Sequence, residues 1–125
     1  FVNSGRLSTA VAYPESPLNT PDEDMWEGGV PPGSPPLDAP FGEEWLLDQL
    51  NGEFTLVANG YDGGAPEGVR LIDLSTGGGS NVLLNRYDLS PGAACLFRPD
   101  QYVAARWKKP TKAKINSALR RAMGK

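Results

Sequence analysis

Apolar positions are scattered up to residue 42 and then gather into short runs separated by polar and glycine-rich breaks. The run around which the rest is arranged is residues 93–107, Ala-Ala-Cys-Leu-Phe-Arg-Pro-Asp-Gln-Tyr-Val-Ala-Ala-Arg-Trp. Cys95, Leu96 and Phe97 on one side and Tyr102, Val103 and Trp107 on the other suit a pleated surface. Arg98, Pro99, Asp100 and Gln101 between them form a polar turn, so the segment predicts an antiparallel hairpin. Strict alternation puts Val103, Ala105 and Trp107 on one face, with Tyr102, Ala104 and Arg106 on the other. The small alanines predict a close neighbour over the hairpin, and the amphipathic stretch that follows is the candidate.

Upstream, residues 43–50 (Glu-Glu-Trp-Leu-Leu-Asp-Gln-Leu) predict a short helix with acids at its favourable positive end and a stop at Asn51 and Gly52. Residues 54–58 predict a strand ended by Asn59 and Gly60, and residues 69–74 a second one. The glycine-rich residues 61–68 between them leave too little room for a regular crossover helix. Ser80 and Asn81 can cap a brief helical segment through Leu83, Leu84 and Tyr87. After the hairpin, Pro110 and Thr111 open a last helix. Its Ile115, Ala118, Leu119, Ala122 and Met123 recur at helical spacing, and Gly124 ends it. Lys112 and Lys114 gain nothing from the helix dipole at its first turn, whereas Arg120 and Arg121 sit favourably at its end. The order of elements predicts an α/β fold, a small mixed sheet with helices packed on it. The first crossover helix is expected to be shortened or missing.

Composition changes the picture before residue 43. Eight of the twelve prolines fall there, and residues 14–40 form an irregular, acidic, proline-rich run. Proline removes a donor and disfavours helical geometry in the residue before it. The chain therefore divides into an extended proline-rich arm or interdomain strap, residues 1–42, and a compact domain, residues 43–125. A short extended segment with Val2, Leu7, Val11 and Tyr13 could pair with a sheet edge. Trp26 and Leu37 are expected to hold residues 14–40 at least partly in order, and the last helix to cover the sheet through Ile115, Leu119 and Met123.

Net charge is −3, unevenly spread: Arg106, Lys108, Lys109, Lys112, Lys114, Arg120, Arg121 and Lys125 follow Gln101, with no acid among them. Such an end could attract phosphate, nucleic acid or an acidic protein face, but a solvated helix surface is the commoner reading. Nucleic acid is disfavoured, because the acidic remainder repels a phosphate backbone. The sequence shows no signal peptide and no apolar stretch of membrane-spanning length, so a cytoplasmic protein is the default. Phe1 in place of a methionine suggests a fragment or a processed product.

A search for chemistry yields little. Histidine is absent, which removes the commonest acid-base group near neutral pH. Cys95 stands alone in an apolar strand and reads as a buried structural thiol. With no second cysteine, dithiol exchange has no intramolecular partner. Gly77, Gly78, Gly79 and Ser80 lack the lysine of a phosphate loop, and no dinucleotide fingerprint follows a strand. Asp22, Glu23, Asp24 and Glu27 lack calcium-loop spacing and read as solvated acids. Asp73 and Asp100 stand at a strand end and a turn, where carboxylates commonly cap. No residue is assigned a catalytic, cofactor-binding or metal-ligating role.

Residues 83–107 nevertheless resemble the C-terminal, thioredoxin-like domain of FAD-dependent aromatic-ring hydroxylases of the phenol hydroxylase and 3-(3-hydroxyphenyl)propionate hydroxylase type. The most specific piece is Arg-Pro-Asp-x-x-Val-Ala-x-Arg, Arg98 to Arg106. Residues 13–18 resemble that family's Tyr-x-x-Ser-Pro-Leu. Residues 33–41 with Trp45, Leu46, Leu47 and Asp48 resemble its Pro-Gly-x-x-x-Pro-Asp-Ala-Pro-Leu lead into the domain. The matches run in order from about Ser4 to Met123. The resemblance implies a thioredoxin-like domain without the dithiol, associated in phenol hydroxylase with subunit contacts. It implies FAD and NAD(P)H in an amino-terminal catalytic portion of the same polypeptide, which would hydroxylate a phenolic or related aromatic compound with dioxygen. No cofactor is expected in this fragment itself, and no nucleic-acid or membrane partner. The departure at residues 61–68 puts an interface on that side in question. The alternative reading is a stand-alone thioredoxin-like interaction domain without redox activity, its basic last helix docked on an acidic partner.

Overall fold

The computed structural model describes residues 12–76 and 80–124. The expectations placed on Val2, Leu7 and Val11 and on Gly77, Gly78 and Gly79 lie outside the described residues. A two-stranded ribbon, β1 (Pro40–Phe41) and β2 (Glu44–Trp45), leads into α1 (Leu46–Gln49). Then come β3 (Phe54–Ala58), β4 (Val69–Asp73), a 3-10 turn (Leu74–Thr76) and α2 (Asn81–Arg86). The hairpin strands β5 (Ala94–Phe97) and β6 (Val103–Trp107) and the long α3 (Lys112–Ala122) complete the chain.

Strands β3 to β6 form one sheet in the order β4-β3-β5-β6, with β3 and β4 parallel and the other neighbours antiparallel. This is the mixed α/β sheet that the sequence predicts. The parallel connection from Ala58 to Val69 carries no helix, as the glycine-rich spacing predicts.

Helices and arm divide the two faces of the sheet between them. On one face Leu56, Ala58, Ala94, Leu96, Ala105 and Trp107 meet Ile115, Ala118 and Ala122 of α3. Alanines on both sides let helix and sheet approach closely, the neighbour that the hairpin alanines predict. On the other face Val57, Cys95, Phe97 and Val103 pack against Leu46, Leu50, Leu83, Tyr87 and Leu89, and against Val30 and Ala39 of the arm.

Four local expectations are corrected. The helix at residues 43–50 keeps only Leu46–Gln49, because Glu44 and Trp45 are extended and pair with Phe41 and Pro40. Its amino end is served by Asp38, whose Oδ1 accepts from Leu47 N at 3.0 Å, rather than by Glu43 or Glu44. Alternation along β6 fails at one step. Leu96 pairs with Ala105 but Phe97 with Val103, so Ala104 is an extra residue and Val103 turns to the face opposite Ala105. On α3 the buried side chains are Ile115, Ala118 and Ala122, whereas Leu119 is half-buried and Met123 is exposed. Leu37 is also exposed, and its place is fixed instead by its backbone, which exchanges hydrogen bonds with the Tyr87 hydroxyl.

Candidate functional site

The three sequence pieces that carry the family resemblance converge on one place, the junction of arm and hairpin. Tyr13 N donates to Gly33 O at 2.7 Å, and Gly33 N donates to Val103 O at 2.8 Å. Val103 N in turn donates to Ser34 O at 3.0 Å, so arm backbone runs beside the outer edge of β6. Gly33 has φ +89°, and a Cβ there would strike the Tyr13 carbonyl and the Asn19 amide, so only glycine lets the strands approach. The turn is held by Asp100, which accepts from Tyr102 N at 3.1 Å and pairs with Arg98. Gln101, at φ +75°, sends its amide to the carbonyls of Leu50 (2.9 Å) and Leu47 (3.3 Å) at the end of α1.

Arg106 is the centre of the junction. Its Nε and Nη2 meet the two Asp22 oxygens at 3.0 and 2.8 Å, and Nη1 reaches Gly28 O at 2.9 Å. The guanidinium lies 4.4 Å from the centre of the Trp26 ring, and Lys108 Nζ stands 5.3 Å from it. Asp24 accepts from Lys108 N at 2.9 Å, and Glu23 pairs with Lys114 at 2.6 Å. Of the four acids read from the sequence as solvated, Asp22 and Glu23 pair with Arg106 and Lys114, Asp24 accepts from the Lys108 amide, and Glu27 is exposed as expected. Gly29, at φ +83°, passes so close that a Cβ would lie 2.9 Å from Arg106 Nη1. The sequence reading expects Trp26 to anchor the arm, as it does; the clamp of ion pairs around it is signalled in the sequence only by opposite charge in the arm and the chain end.

Beside the clamp lies an open recess of about 410 Å³, walled by five prolines with Asp22 and Arg121 on its rim. Glu15, Ser16 and Asn19 complete its lining. Cys95 is fully buried under the same junction, and burial pushes its thiol up to about 12, only partly offset by Arg106. Burial likewise raises the Tyr87 phenol, with Cys95 adding to the effect. Asp73 is held below the usual carboxylate range by the Ser75 hydroxyl and by the Ser75 and Gly60 amides. It acts as the strand-end cap that its position predicts. Among the described residues no three of His, Cys, Asp and Glu stand together to hold a metal ion, and no helix is long and apolar enough to cross a membrane. The link from β3 to β4 carries no helix, so these two strands do not form the strand-turn-helix of a dinucleotide fold.

No protein-family model matches the chain, and no curated protein matches it by sequence. Solved structures do match. The flavin-dependent monooxygenase PieE, in complex with FAD and substrate, is similar over 92% of this chain with a TM-score of 0.73 and 21% identity. Aklavinone-11 hydroxylase, in complex with FAD and aklavinone, is similar over 93% with a TM-score of 0.71 and 22% identity. The rebeccamycin biosynthetic enzyme RebC follows at 0.64 and 19% over 88%. The chain spans 25%, 26% and 22% of those three proteins respectively, and at these identities the likeness is one of fold.

Proposed function

We propose that the chain is the noncatalytic, thioredoxin-like C-terminal domain of a cytoplasmic FAD-dependent monooxygenase. Its work is structural or in subunit contact. Its parent inserts one oxygen atom into a phenolic or related aromatic substrate, using FAD, NAD(P)H and dioxygen. Its partners are the FAD-binding portion of the same polypeptide and a second subunit. The observation that carries this reading is a likeness that takes in nearly all of this chain and only a quarter of PieE. The motif residues favour it too, since Gly33, Asp38, Asp100 and Arg106 position backbone and arm rather than present reactive groups.

The test is the complete polypeptide. It is expected to carry a dinucleotide fingerprint upstream, to purify with flavin, and to oxidise NAD(P)H when a phenol is supplied. The isolated chain titrated with FAD should leave flavin fluorescence unchanged. A complete polypeptide without flavin, or tight stoichiometric FAD binding by the isolated chain, overturns the proposal.

A further inference from the structure

The arm is fixed at Asn19 and at Val30, each only 4% exposed, but the segment between them is held differently. Pro21, Asp22, Glu23, Met25, Glu27 and Gly28 are all exposed, and Met25 reaches 89%. Trp26 is the one large apolar side chain of that segment set against the core. The other attachments are the carboxylate contacts of Asp22, Glu23 and Asp24, the bond from Arg106 to Gly28 O, the bond from Thr20 N to Ala104 O at 2.9 Å, and a long one from Gly28 N to Asp88 at 3.3 Å. Among the described residues Thr20 Oγ1 and Trp26 Nε1 of this segment are buried with no hydrogen-bonding protein partner, so its closure shields polar atoms that the protein does not bond. A single large apolar contact, beside hydrogen bonds none of which is fully buried, marks a segment that can open locally.

We propose that residues 20–29 are a lid that opens between Asn19 and Val30, and that the face beneath it, Arg106 with Lys108 and Lys114, takes an acidic segment of another polypeptide in its place. The lid itself specifies the ligand's chemistry. One carboxylate receives the Arg106 fork, an aromatic ring four residues on stacks under the guanidinium, and the intervening acids reach a backbone amide and a lysine. Arg106 is 7% exposed while the lid is shut, and opening would return that charge to solvent. Loss of Asp22 therefore shifts the lid toward open instead of stranding a buried cation.

Two measurements test this. In the native chain, exchange of the Thr20 and Lys108 amides, each bonded across the closed lid, should be insensitive to low denaturant and at least about tenfold faster than at Leu56 and Val57. A fluorescent, end-blocked peptide of the Thr20 to Val30 sequence should bind an Asp22→Asn, Asp24→Asn variant at least tenfold more tightly than the native chain. That binding should weaken in high salt. Should that variant fail to fold, Glu23→Gln with Trp26→Ala opens the same lid. Exchange of the Thr20 and Lys108 amides matching the core overturns the lid. A folded open variant that ignores the peptide, or that binds a single-stranded oligonucleotide in preference to it, overturns the partner.

Discussion

Arg106 illustrates what one side chain decides. It carries a bidentate carboxylate, a carbonyl and an aromatic face at once, which a lysine's point charge cannot do. Arg106→Lys is expected to free Trp26, seen as a red shift in the emission difference between this variant and its Trp26→Phe counterpart. An unchanged difference would mean that charge alone holds the ring. Cys95 tests burial at the same scale. With a folded value near 12 against ~8.5 in an unfolded chain, the folded state keeps its proton longer. The Cys95 contribution to stability is thus complete below pH ~8.5 and is lost as pH rises toward 12, by at most about 1.4 kcal/mol per pH unit. Denaturation at pH 8 and pH 10 should show a larger loss for the native chain than for Cys95→Ala; equal losses would place the thiol in water.

At the scale of elements, α3 makes the sharpest case. Ile115 is wholly buried against the sheet, so Ile115→Ala should cost about 2–5 kcal/mol. Half-buried Leu119 should cost clearly less when cut to alanine, and exposed Lys112→Ala should stay within ~0.5 kcal/mol. Urea denaturation ranks the three, and a Leu119 cost equal to that of Ile115 would mean that the helix is rolled from the orientation described. The reason for the ranking is geometric. The alanines of β5 and β6 admit α3 along its Ala118 and Ala122 line, and that close approach tips Leu119 and Met123 toward the rim.

For the whole molecule, the arm supplies Val30 and Ala39 to the core and three backbone bonds to β6 from Thr20, Gly33 and Ser34. A chain beginning at Glu43 is therefore expected to lose cooperative unfolding, as followed by near-ultraviolet circular dichroism on heating. Retention of a sharp transition would show that residues 43–125 fold without the arm.

The sequence by itself determined the elements whose causes are local. The strand at Phe54–Ala58, the Ser80 cap of α2, the hairpin turn and the start of α3 at Thr111 each depend on neighbours within a few positions. The lack of histidine and of a second thiol is equally plain in the sequence. Tertiary structure alone decided the rest. Asp22 finds Arg106 across 84 positions, and Asp38 caps a helix nine residues on while Arg86 holds its carbonyl. The bulge at Ala104 lets one five-residue strand serve both faces, Val103 toward the arm and Ala105 and Trp107 toward α3. Periodicity reports which residues of an element share a face. Which charge meets which, and where a strand must break its alternation, depends on surfaces brought together only when the chain closes on itself.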